Sequence, residues 1–400
     1  MPQPGRAGKY VTQQPGVASF KAFVPASLPI FPPLRSPAAL QDKLERANRA
    51  IGRLDGLSRL LPDPQLFLYM YIRKEAVLSS QIEGTQSSLS DLLMFEEAGT
   101  PGVPLNDVQE VSRYVAALEH GLTRLREGFP LSLRLLREIH GVLMKDARGG
   151  DKTPGEFRTS QNWIGGTHPG NAVYVPPPPH EMRQALDNLE RFLHDQYGLT
   201  PLLLKAGIVH AQFETIHPFL DGNGRLGRLL ITFLLVHGGA LSLPLLYLSL
   251  YLKERRDDYY ASLQAVRDTG DWEQWLAFFL DGVEVVATQA TDTASRVLAL
   301  FETDRVAIQG ALGKSAISAL KVHDYLRHQA LASGAALVKS SGLSLPTVLA
   351  TLDKLREMKI VREVTGQARN RLFAYDRYID ILNAGVVVDS SSAQPVMAAR

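Results

Sequence analysis

His217-Pro218-Phe219-Leu220-Asp221-Gly222-Asn223-Gly224-Arg225-Leu226-Gly227-Arg228 lies between two apolar helical patterns, 201–216 and 223–238. Gly222, Asn223 and Gly224 can adopt positive φ at little cost. Successive amides in such a turn can converge into an anion nest. The nest opens into the start of the second helix, whose unpaired amides and dipole also favour phosphate. Arg225 and Arg228 are three apart and share a face of that helix's first turns. Cations there oppose the dipole unless an anion lies between them. Asp221 supplies one hard oxygen ligand, suited to Mg²⁺ on a di- or triphosphate. His217 is the one loop residue that titrates near neutral pH and can serve as a general base. No Gly-Lys-Ser/Thr follows the glycines, so the P-loop pattern is absent. No His-Glu-x-x-His and no cysteine is present, which excludes the common zinc sites.

Outward from the loop, almost all regular structure up to residue 300 reads as helix. Leu40, Leu44, Ala47, Ile51 and Leu54 fall at helical spacing after Ser36-Pro37, which predicts a helix over 37–54. A second is predicted over 64–82, stopping at Gly84. Others are predicted at about 106–127, 131–146, 180–197, 254–267 and 271–297. The exception is 155–178, where Trp163, Ile164, Val173, Tyr174 and Val175 surround Gly165-Gly166 and Pro169-Gly170, a β-hairpin pattern. Residues 1–36, rich in Pro, Gly and Gln, read as an extended arm.

The bulk composition is that of a soluble globular chain: 400 residues, 45% hydrophobic, net charge +2. That charge gives no global field toward nucleic acid or an anionic membrane. The absence of cysteine removes disulfides and thiol nucleophiles. The longest apolar stretch, Leu229 to Leu252, is broken by His237, Gly238, Gly239, Ser242, Pro244 and Ser249, so no membrane span is expected. The opening MPQPGRAGKY lacks the apolar core of a secretory signal. A cytoplasmic location is the expectation.

The loop resembles the Fic family signature His-Pro-Phe-x-[Asp/Glu]-Gly-Asn-Gly-Arg-x-x-Arg, and every specified position is met. The resemblance covers roughly residues 20–300. It implies a mainly α fold: an all-helical core with a small β-hairpin flap. It also implies a protein adenylyltransferase, which moves AMP from ATP to a Ser, Thr or Tyr hydroxyl of a target protein and releases pyrophosphate. On that pattern His217 deprotonates the hydroxyl and Asp221 holds Mg²⁺, or Mn²⁺ in its place. The backbone of Gly222, Asn223 and Gly224 cradles phosphates, and Arg225 and Arg228 hold the β- and γ-phosphates. The ATP contacts then run from Asp221 through Leu226 and Gly227 to Arg228. Ile164, Gly165, Gly166 and Thr167 fall on the flap, which offers an edge to an extended target segment. Tyr259, Tyr260 and Arg267 fall where the family contacts adenosine. The related Doc kinases depart from Gly-Asn-Gly-Arg, and this chain keeps it, which favours AMP as the group moved.

Ser79-Ser80-Gln81-Ile82-Glu83-Gly84 is similar to the family's inhibitory motif. A glutamate at a helix C-terminus opposes the dipole and wants a cationic partner. The family pairing implies Glu83 with Arg228, in the γ-phosphate site, as a built-in brake. In some relatives the same glutamate positions water for removal of AMP, so a de-AMPylase, or transfer of another nucleotide, is the alternative within the family.

The tail reads helix (316–329), helix (335–341), helix (345–358), then a hairpin through Ile360-Val361-Arg362 and Leu372 to Tyr375, the order of a winged helix. Residues 301–385 carry 12 Lys+Arg against 8 Asp+Glu. Thr347, Thr351, Lys354, Arg356, Arg369 and Arg371 would face DNA, while a protein interface or a homodimer contact is the competing reading. A DNA-binding regulator with an ATP-sensing core is the rival from another class, and the intact His217 argues against it. The expected organisation is an arm (1–36), a helical region with the inhibitory helix (37–104), a catalytic core (105–300), a winged helix (301–385) and a disordered tail (386–400).

Overall fold

A computed structural model describes residues 5–13, 19–35, 38–60, 64–99, 104–145, 152–194, 200–367 and 371–384. The expected Ser36-Pro37 helix start, Arg369, Asn370 and the stretch 386–400 lie outside these.

The chain opens with an antiparallel hairpin, β1 (Gly8–Gln13) and β2 (Phe20–Pro25), in a register that pairs Tyr10 with Phe23. This corrects the expectation of a plain extended arm. The prolines do remove amide donors, but Arg6 supplies donors instead. It is buried, and its guanidinium donates to Pro32 O at 2.7 Å and to Glu273 at 2.9 Å. A buried charge paired and bonded in this way holds the arm on the core.

Helices follow: α1 (Ala38–Leu60), α2 (Pro64–Ile82), α3 (Leu89–Ala98), α4 (Leu105–Arg126), α5 (Leu133–Leu143) and α6 (Pro179–His194). The loop from His217 to Gly222 joins α7 (Leu202–Ile216) to α8 (Asn223–His237). Both are buried nearly all round, as their continuous apolar runs require. α9 (Ser249–Glu254) and α10 (Arg256–Thr269) lead into α11 (Trp272–Leu312), along which α1 packs. α3 and α9 were not anticipated. α3 has a reciprocal cap: Ser88 accepts from the Asp91 amide, and Asp91 accepts from the Ser88 amide.

The last region contains α12 (Ala316–Gln329), β3 (Leu331–Ser333), α13 (Gly334–Ser341), α14 (Leu345–Glu357), β4 (Arg362–Glu363), β5 (Leu372–Ala374) and α15 (Asp376–Asn383). The strands form one antiparallel sheet in the order β3-β5-β4. β3 and α15 are additions to the expected order. The boundary expected at 300 falls inside α11, which runs unbroken from buried Trp275 to buried Ile308. α12 and α15 pack on α2, and the Ser333 amide donates to Glu97 of α3 at 3.0 Å. A cut at residue 300 would therefore sever a helix and strip cover from α2. Among the described residues no single helix is long and apolar enough to cross a membrane.

Candidate active site

α7 ends where proline follows histidine, because a residue before proline is pushed out of the right-handed helical region. His217 caps the helix in the left-handed region (φ 48°), with its amide donating to Phe213 O at 2.9 Å. Gly222 turns the chain again at φ 75° into α8. A Cβ at Gly222 would come within 2.7 Å of Met144 Sδ, so glycine is also needed for space.

Asn223 of the motif and several groups outside it hold this loop in shape. Asn223 Oδ1 accepts from the Phe219 amide at 2.9 Å, and its Nδ2 donates to Phe219 O at 2.8 Å. Asn162 Nδ2 donates to the same carbonyl at 2.9 Å. The buried Arg158 donates from Nε to His217 O at 3.0 Å and from Nη1 to Ser160 O at 3.1 Å. His140, stacked on Phe219 at 3.7 Å, accepts the Gly155 amide at Nδ1. Its proton is therefore on Nε2, which donates to Asp221 O at 3.0 Å. Burial pushes the pKa of His140 down to about 4, with Arg225 adding to the shift, so the ring is neutral. The sequence reading missed His140, Arg158 and Asn162. The one available signal was a charged or polar residue among apolar neighbours, as at His140 between Ile139 and Leu143.

His217 itself is partly exposed, and its Nδ1 is buried with no hydrogen-bond partner among the described residues. Burial, then the guanidiniums of Arg158 and Arg267, push its pKa down to about 4 against the pull of Glu83. A neutral imidazole at pH 7 can accept a proton. Asp221 Oδ1 accepts from the Gly222 amide at 2.6 Å, and Oδ2 lies 3.6 Å from Lys152 Nζ. No group of three or more His, Asp or Glu among the described residues could hold a metal. A single carboxylate suits an ion that arrives with phosphate oxygens as its other ligands.

The structure does bring Glu83 to Arg228. Arg228 Nη2 meets Glu83 Oε1 at 2.7 Å, while Nε donates to Ser79 Oγ at 2.8 Å and Nη2 to Ser79 O at 3.0 Å. Burial raises the Glu83 carboxyl pKa, but Arg228, with Arg225 and His217, outweighs it and leaves the net shift downward. The carboxylate lies over Gly224, where a Cβ would collide with Glu83 Oε1. Gly84, past the end of α2, sits at φ 99°. Arg225 does not share these partners. Its Nη1 lies 3.4 Å from Glu110 Oε2 of α4 and its Nη2 3.5 Å from Sδ of Met144, which caps α5.

The expected hairpin over 155–178 is reduced to one antiparallel bridge, Ile164 with Tyr174. Gly165 and Gly166 turn at φ 70° and 72°, and Asn171 Oδ1 accepts the Thr167 amide at 3.0 Å. Val173 is 81% exposed, and Tyr174 OH anchors the base by donating to Thr215 O at 2.7 Å. Three of the residues expected to contact nucleotide are buried. Tyr259 is buried and its hydroxyl is engaged with His210 Nε2 at 2.9 Å, so it presents nothing to a nucleotide. The Leu226 side chain is fully buried. A Cβ at Gly227 would collide with Glu214, so glycine is needed there for space. Tyr260 is 43% exposed and lies beside Arg256 and the Tyr259 ring, while Arg267 stacks on Tyr174 at 3.9 Å.

Residues 41–123 match the Fic/DOC family N-terminal profile, and residues 130–235 match the Fic/DOC family profile. Protein adenylyltransferase Fic of Drosophila yakuba is 26% identical over 251 residues, 61% of this chain and 45% of that protein. The chain thus spans about half the length of the curated relatives it matches. A Fic family protein from Desulfovibrio desulfuricans superposes with a TM-score of 0.57 at 20% identity, over 86% of this chain and 98% of that one. A Fic-1 fragment from C. elegans gives a TM-score of 0.52 at 24% identity, over 65% and 74% respectively. These two show a shared fold.

Proposed function

We propose that this chain, whose residues 41–123 and 130–235 belong to the Fic/DOC family, is an autoinhibited protein adenylyltransferase. One observation carries the reading: a neutral imidazole stands at the corner that opens into a helix N-terminus carrying two arginines. Base and anion cradle are thus parts of one rigid loop. His217 takes the proton of a target hydroxyl as that oxygen bonds to the α-phosphorus of ATP. The bond from the α-phosphorus to the bridging oxygen breaks, and pyrophosphate leaves. Positioning and charge neutralisation supply most of the rate in such a transfer. Mg²⁺, held by Asp221 when bound, offsets phosphate charge. Glu83 is the brake, because Arg228 cannot fully serve both its carboxylate and a γ-phosphate. The exposed flap from Ile164 to Val173 is where a target segment would lie.

ATP labelled at the α-phosphorus is expected to label the chain or a lysate protein, and γ-labelled ATP is not. Label from the γ-position alone would replace this reading with a kinase. The pH dependence is a second check. The His217 pKa is lowered to about 4, so the base stays available until pH falls through that value. The ratio kcat/KM should show no acid inflection near the ordinary histidine value of about 6.5. An inflection there would mean that His217 is charged in the free protein or is not the base.

For the last region we favour a winged helix that meets protein rather than DNA. The order α12-β3-α13-α14-β4-β5 supports the architecture. The described cations among those expected to face DNA have partners within the chain. Lys354 donates to Ser315 Oγ at 2.7 Å, Arg356 pairs with Asp353 at 3.2 Å, and Arg371 lies over Phe373. Thr351 is buried and donates to Thr347 O at 2.7 Å.

A further inference from the structure

The two arginines of α8 are held by different walls. Arg228 faces α2, where the Glu83 side chain is 38% exposed. Arg225 faces α4 and α5, and there the Glu110 side chain is only 8% exposed. Glu110 stands one turn along α4 from Asp107, a buried carboxylate whose Oδ2 accepts the Gln86 amide at 2.9 Å, just past the Ser79–Gly84 motif. A half-exposed carboxylate can turn into water and leave its partner to another anion. A buried one cannot leave without stranding a charge. The two ion pairs therefore differ in kind, although they look alike in sequence.

We propose that Glu110 is a positioning residue: a fixed carboxylate that sets the direction of the Arg225 guanidinium toward the terminal phosphates of the nucleotide. This rests on the nucleotidyltransferase reading above. Arg225 keeps this counter-charge whether or not ATP is bound, so it works as an aimed hydrogen-bond donor more than as a net cation. Its Nε, buried and without a hydrogen-bond partner, is a donor that neither Glu110 nor Met144 uses. The net positive charge that draws in the γ-phosphate comes from Arg228, and only once Glu83 has moved. Glu110 also lies within residues 41–123, so the region before the catalytic domain supplies both carboxylates that govern the arginines.

The test is calorimetry with Mg·ATP and with AMP on the full chain carrying Glu83→Gly. Into that background go Glu110→Gln, Glu110→Asp, Arg225→Met, and Glu110→Gln with Arg225→Met. Glu110→Gln should weaken Mg·ATP by about tenfold, the scale of losing one partner of a buried charge pair. AMP has neither β- nor γ-phosphate, and its affinity should hold. Glu110→Asp should recover part of the loss. The double variant should bind Mg·ATP no worse than Arg225→Met alone, because Glu110 acts through Arg225. It removes both charges of a buried pair, so it should fold even where Glu110→Gln does not. Equal losses for ATP and AMP, an unchanged ATP affinity in folded Glu110→Gln, or additive losses in the double variant would overturn the positioning role. If Glu83→Gly alone fails to bind Mg·ATP, the nucleotidyltransferase reading falls first and takes Glu110 with it.

Discussion

Replacing His217 with alanine is expected to cut AMP transfer by about 10²–10⁴-fold, the usual worth of a positioned general base. Mg·ATP should still bind. The loop's shape depends on backbone groups rather than on the imidazole. Arg158 holds His217 O, Asn162 and Asn223 hold Phe219, and His140 holds Asp221 O. None of these bonds uses the His217 ring, whose Nδ1 has no hydrogen-bond partner among the described residues. The variant should therefore melt near the parent. The readout is labelling from α-labelled ATP in the Glu83→Gly background, where the parent rate is high enough to measure a large fall. A folded His217→Ala protein that retains most of its transfer would remove the histidine from the mechanism.

Glu83→Gly should raise autolabelling about tenfold or more over the unmodified chain at equal concentration. The Glu83 carboxylate lies over Gly224 and holds Arg228 at 2.7 Å. Its removal deletes a negative charge from the place where phosphate must go and frees a guanidinium that is otherwise buried. Solvent screening of a side chain this exposed limits the gain. The helix should survive, because glycine near a helix end costs little. α2 also keeps its other anchors. Ser79 still meets Arg228, and the buried Glu75 still accepts from Tyr114 OH at 3.1 Å and from Ser249. Glu75 needs those donors: burial pushes its pKa up to about 7 even with them present. Equal labelling of the two proteins would make Ser79–Gly84 a plain helix terminus.

Local chemistry alone determined the corner between α7 and α8. Pro218 stops α7 at His217, Gly222 allows the second turn, and the arginines follow at fixed helical spacing. These are constraints between near neighbours, so they hold in any packing. The same holds for most helices, where apolar periodicity locates the face that must be buried, and for the end of α2 at Ile82 before Gly84. The flap was legible as a turn at Gly165-Gly166. Its extent was not, because a single bridge needs support from the Tyr174 anchor on α7.

What packing alone decided is which buried polar group meets which. Tyr259 looked like a nucleotide contact, yet its hydroxyl went to His210, 49 residues away. Arg6 looked like part of a loose arm, yet it pairs with Glu273, 267 residues on. Arg225 and Arg228 look equivalent in sequence, yet they are taken by Glu110 of α4 and by Glu83 just past the end of α2, one carboxylate buried and one half in water. A buried charge must find a partner wherever the fold can place one. Sequence states the demand through residue type and spacing, and only the tertiary arrangement of α2, α4 and α5 around α8 determines which partner meets it.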